Sequence, residues 1–224
     1  MVPYKLTRSA RKTVAIHVRN GIVDVRAPFK TPLSNIDRFV ASKEKWIEGK
    51  LSMLSERAAQ RENFSLTYGD QVTYRGRLYP IAEKPGRFPG FDGERFYMPP
   101  GLSPEQIKAA CIKIYRTLAE RDLNDRAVDF VGQMLVLPTA VKINNAKARW
   151  GSCSSKKIIN FSWRLIMADD DLIDYVVVHE LAHIAELNHS ARFWAIVESV
   201  LPDYAKRRAR LRELQKRLAC EDWD

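Results

Sequence analysis

Cysteine is scarce in this chain. The three residues, Cys111, Cys153 and Cys220, are widely spaced and odd in number. This excludes a disulfide framework and a Cys-x-x-Cys metal site, and it suggests a reduced, cytoplasmic setting. Long apolar runs are also missing. Tyr175 to Val178 is bounded by Asp174 and His179 and is far too short to span a bilayer. No membrane association is therefore expected. The basic stretch 1–12 is not followed by an apolar core of signal-peptide length. Internal repeats and low-complexity tracts are absent.

What is present is enough for a real core: 224 residues, 46% of them hydrophobic, suit one domain or two small ones. A net charge of +10 favours anionic partners without choosing among them. Much of the excess lies at Lys206, Arg207, Arg208, Arg210, Arg212, Lys216 and Arg217, with Leu211, Leu214 and Leu218 at helical spacing between them. That pattern is an amphipathic helix whose basic face is either simply solvated or a contact for nucleic acid.

Alternating residues before and after Asn20-Gly21 predict a β-hairpin, because both turn residues accept positive φ. His17 falls on its polar face and reads as a surface histidine. Ser34, with Asp37 three residues on, is expected to open a helix whose apolar stripe runs to Leu54. Short strands are expected near 66–68, 71–74 and 77–82. The Pro- and Gly-rich stretch 85–100 reads as an irregular connection and the best domain boundary. The expected division is therefore 1–100, β-rich with one helix, and 101–224, mainly helical. Ser103-Pro104-Glu105-Gln106 is a capping-box helix start. Apolar positions follow in two stretches, 107–118 and 127–134, before Pro138. Strands are expected at 141–147 and 158–166, with a tip at Lys156-Lys157. Asp169 to Asp171 then cap another helix.

That helix carries the informative segment. His179 and His183 lie four apart on one helical face, so both imidazoles can reach one ion. Glu180, one step round, can act on a water at that ion as general base. Three protein ligands plus a water is the catalytic zinc arrangement. His189 is the expected third ligand. It requires the helix to end or bend near Leu187-Asn188, where Asn188 can take a left-handed conformation. Were the helix to run straight on, Glu186 would compete for that role; otherwise it faces solvent or supports the ligands. Ser190 can cap a following helix. A structural zinc would need a fourth protein ligand, and no cysteine pair lies nearby.

The segment Val178 to His183, with Asn188-His189-Ser190 and Phe193-Trp194, resembles the YgjP-like (DUF45) family of zinc metallopeptidases. Arg149 to Ser154 and Asn160 to Leu165 match the family's other blocks. The resemblance is specific over about 145–195 and weaker over most of the chain. It implies kinship with the WLM and SprT-like groups. It also implies an α+β, zincin-like core, with an active-site helix beside a small antiparallel sheet, and a three-histidine metal site. The ligand spacing is that of metzincins too, but Glu186 stands where they need glycine.

Near the motif, Cys153 is either a nucleophile lacking a base or a packing residue. Arg149 and Arg164 can hold a carboxylate or phosphate; the alternative is an ion pair with Asp169 to Asp171. Trp150 and Trp163 are core residues or a cleft wall. The expected activity is hydrolysis with one zinc ion per chain, as a metallopeptidase. A nucleoside triphosphate hydrolase releasing pyrophosphate from the same site is the alternative. A nucleic-acid-associated protein recruited by its basic C-terminal helix is a third possibility.

Overall fold

The computed structural model describes residues 2–224, which form two compact units. The first runs to Phe64 and takes in Ala219–Asp222 and Asp224. Its strands are β1 (Lys5–Ser9), β2 (Ala15–Arg19) and β3 (Ile22–Pro28), in the order β1-β3-β2. The hairpin forms as the sequence predicts, with Asn20 at φ 50° and Gly21 at φ 73°. β1 pairs in parallel with β3. Val23, Val25 and Ala27 alternate along β3, so one face meets Ile36, Val40 and Ile47 of two helices, α1 (Leu33–Ser42) and α2 (Glu44–Glu62). Ser34 does not cap α1. Pro32 occupies that position without a side-chain bond, and Asp37 instead accepts the Tyr4 hydroxyl at 2.5 Å.

The second unit spans Ser65–Leu218 and Trp223, so the units divide well before residue 100. The reason is strand pairing. The stretch 85–100 is not merely irregular; it holds β6 (Gly90–Phe91) and β7 (Phe96–Met98). These join β4 (Gln71–Tyr74) and β5 (Arg77–Glu83) in one sheet, ordered β4-β5-β7-β6. Phe96 and Met98, two apart on β7, are wholly buried. Residues 66–68 form no strand. The long helix α3 (Pro104–Met134) starts on the expected capping box, with Ser103 N–H donating to Gln106 Oε1 at 2.8 Å. It runs unbroken through both apolar stretches and ends on Leu135 in the left-handed region.

A second sheet contains β8 (Ala140–Asn144), β9 (Gly151–Cys153) and β10 (Ile158–Ser162), ordered β8-β10-β9. β10 pairs in parallel with β8 and antiparallel with β9, which leaves β9 at an edge. A 3₁₀ turn (Trp163–Met167) leads into α4 (Asp170–Ala185), followed by α5 (Ala191–Val200) and α6 (Tyr204–Leu218). The fold is thus α+β. Val176, Val177, Val178 and Leu181 bury α4 in the core, which fixes the helix that bears the histidines. Its acidic first turn is held by arginines from elsewhere in the unit. Arg75 reaches Asp170 at 2.6 Å, Arg126 bridges Asp170 and Asp174, and Arg210 binds Asp169 at 2.5 Å and Asp171. No helix among the described residues is long and apolar enough to cross a membrane.

Candidate metal centre

His179 and His183 project from the same face of α4. The helix stops at Ala185, and Glu186 turns extended (φ −141°, ψ 106°). The stop therefore comes earlier than Asn188, and Asn188 is not among the residues with positive φ. This early stop carries His189 back over the helix. One ligand atom from each of His179, His183 and His189 lies within 4.8 Å of the others. His179 Nε2 and His189 Nε2 approach to 3.0 Å. Ligand nitrogens around a tetrahedral zinc are spaced roughly 3.3 Å apart, close to the His179–His189 separation, so the donor set suits a metal ion.

Glu186 does not supply its carboxylate. Its backbone carbonyl accepts a hydrogen bond from His183 Nδ1 at 3.1 Å, which fixes the tautomer and leaves Nε2 with a free lone pair. His179 Nδ1 is buried without a partner. Burial, with help from the neighbouring histidines and Arg208, pushes the His179 pKa down to about 3. Its imidazole is therefore neutral across the physiological range, as a metal ligand must be. Burial also lowers His183.

α5 completes the centre, and this contribution was not evident from the sequence. Ser190 caps it as expected, accepting from Phe193 N at 3.3 Å. Phe193 is wholly buried, and its ring centroid lies 4.9, 4.4 and 4.8 Å from those of His179, His183 and His189. Trp194 stacks on His189 at 5.6 Å, and Tyr204 stacks on Trp194 at 5.2 Å.

Glu180 is 6% exposed, and burial lifts its pKa to about 7 against the opposing pull of Arg149. Its side chain lies against β9. A Cβ on Gly151 would sit 2.6 Å from Glu180 Cγ and 2.7 Å from Oε1. Glycine is required there by close approach and not by backbone conformation.

The cleft beside Glu180 and His179 has a volume of about 290 Å³, and Arg149 and Trp150 line it. Arg164 is not among its lining residues. That guanidinium is buried, donates to Asn145 Oδ1 at 2.8 Å and to the Trp223 carbonyl at 2.9 Å, and lies over the Trp163 ring. Trp163 is core. The Cys153 thiol is raised by burial and by the charge of Glu180, which disfavours a nucleophilic thiolate.

A family model for the YgjP-like metallopeptidase domain matches residues 12–214. The chain belongs to this family. No curated protein matches it. Among solved structures, this YgjP-like chain is similar to the metallopeptidase zymogen abylysin of Pyrococcus abyssi. Identity is 22% over 40% of this chain and 90% of that one, with a TM-score of 0.37. The metallopeptidase zymogen jannalysin of Methanocaldococcus jannaschii is similar at 22% identity, over 43% of this chain and 97% of that one, also with a TM-score of 0.37.

Proposed function

We propose that this chain is a zinc-dependent metallopeptidase, with His179, His183 and His189 holding one zinc ion and Glu180 acting as general base. One observation carries the reading: three imidazoles converge on a point beside a buried carboxyl that rests against an edge strand. Three nitrogen donors suit zinc, and the family implies a metal. When bound, the metal polarises the scissile carbonyl and acidifies the attacking water.

Glu180 takes a proton from that water as its oxygen bonds to the carbonyl carbon. It returns the proton to the amine nitrogen as the C–N bond breaks. One water is consumed, and a carboxylic acid and an amine leave. A carboxyl group whose pKa lies near neutrality serves both transfers. β9, outermost in its sheet, can pair with an extended substrate through main-chain hydrogen bonds. Trp150 and Arg149 flank the path beside it.

The test is a hydrolysis screen of the zinc-loaded protein against unfolded proteins, peptides and nucleoside triphosphates. Glu180→Gln should retain zinc, measured by elemental analysis, and lose turnover by a factor on the order of 10² or more. His183→Ala should lose both. A fully active Glu180→Gln protein would refute the mechanism. Pyrophosphate release without peptide cleavage would assign the site to nucleotide hydrolysis instead.

A further inference from the structure

The arginines of α6 divide into two sets. Arg207 and Arg210 are tied to carboxylates, the first to Asp203 at 2.8 Å and the second to Asp169 at 2.5 Å and to Asp171. Arg208 and Arg212 line the cleft beside Glu180, together with Arg149 from the connection that precedes β9. Among the described residues none of these three pairs with a carboxylate, and all three are exposed. Arg208 is also set in place over the Trp194 ring, 4.9 Å from its centroid. The remaining walls are largely apolar, from Trp150, Val176 and Leu211.

Three guanidinium groups around one small cleft, of which only Arg149 faces a carboxyl, that of Glu180, repel cationic substrates and attract anionic ones. Carboxylates suit this cleft better than a chain of phosphates. Phosphate cradles rely on glycine-rich turns or open helix N-termini. The one glycine lining this cleft, Gly151, is covered by Glu180, and the N-terminus of α4 is already neutralised by its own aspartates. The spacing of the cations adds a second constraint. Arg208 and Arg212 are one helical turn apart, roughly 6 Å along the axis. Alternate side chains of an extended peptide repeat at roughly 7 Å.

We propose that the cleft selects acidic peptides, with Arg208 and Arg212 each receiving a carboxylate from alternate residues of an extended chain, a Glu-x-Glu pattern. The proposal rests on the peptidase reading of the same site. It is tested by binding as well as by cleavage, so that the two can fail separately.

Labelled Glu-x-Glu, Gln-x-Gln and Lys-x-Lys peptides are titrated by fluorescence anisotropy into the zinc-loaded Glu180→Gln protein. In parallel, wild-type cleavage sites in a peptide library are mapped by mass spectrometry. Glu-x-Glu should bind at least about tenfold more tightly than Gln-x-Gln. Adding Arg208→Gln and Arg212→Gln should abolish that preference at unchanged zinc content and unchanged circular dichroism. Binding that ignores peptide charge, or a preference that survives both substitutions, overturns the proposal. So does a nucleoside triphosphate that binds more tightly and displaces the peptide. Cleavage without charge preference leaves a peptidase of different specificity. Selective binding without wild-type cleavage removes the peptidase reading and keeps the recognition.

Discussion

Glu180 is a carboxyl group kept almost entirely out of water, and this has a thermodynamic signature separate from catalysis. Its pKa is about 7 in the folded chain against an ordinary 4.5. Between these values the folded protein holds a proton that the unfolded chain releases. In the metal-free protein, the contribution of Glu180 to stability therefore falls as pH rises through this window, by about 3 kcal/mol in total above pH 7, against the opposite trend set by His179. Glu180→Gln removes the titration. Denaturant unfolding of metal-free protein should show the variant more stable by that amount at pH 8 and equal to wild type at pH 4. Identical pH profiles for the two proteins would show that the carboxyl is not held neutral. Bound metal should weaken the trend, because a nearby cation favours the ionised form.

At the scale of elements, the centre is a joint between α4, which provides two ligands, and α5, which braces the third. Trp194→Ala removes the ring that stacks on His189 and also lies 5.9 Å from that of His179, while leaving the His183 and Glu180 side chains in place. Zinc affinity, measured by competition with a chelator, should fall about 10- to 100-fold. Unchanged affinity would mean that the connection 186–190 holds His189 unaided. The histidine pair and the Ser190 cap were legible in the sequence because both depend on spacing within one helix. The helix stop was misplaced at Asn188, since a residue's tolerance of left-handed backbone does not say where a chain must turn. The turn at Glu186 aims a carbonyl at His183, and no local pattern records that. The strands within 85–100 were hidden for a related reason: Pro and Gly mask β6 and β7, which exist only by pairing across the sheet.

At the scale of the whole molecule, the +10 charge is less available than the composition suggests. Arg75, Arg126, Arg207 and Arg210 are spent on the acidic turn of α4 and on Asp203. Sequence alone shows how many charges there are, but not which of them face one another. The same limit applies to Arg164, which the sequence offers as a substrate contact or an ion-pair partner of Asp169 to Asp171 and which the structure places in an aromatic core, bonded to Asn145 and to the Trp223 carbonyl. There Trp223 meets Tyr115 at 5.5 Å and Trp163 at 6.2 Å. Nothing in the pattern around Trp223 marks it as core, yet it is only 5% exposed. Trp223→Ala should destabilise the protein by about 3–5 kcal/mol, read as a lower denaturation midpoint. A change below about 1 kcal/mol would show that this ring is dispensable to the packing.

Gly151 and Glu180 occupy one shared volume, so what either position tolerates is conditional on the other. Gly151→Ala should leave zinc bound while displacing the base, lowering turnover by about 10²-fold. Shortening the base at the same time, Gly151→Ala with Glu180→Asp, returns a methylene's worth of room. The double variant should then lose less than the product of the two single losses. A strictly multiplicative loss would mean that the two side chains do not meet. If they do meet, residues 151 and 180 form a single unit of heredity, two codons free to drift only in step.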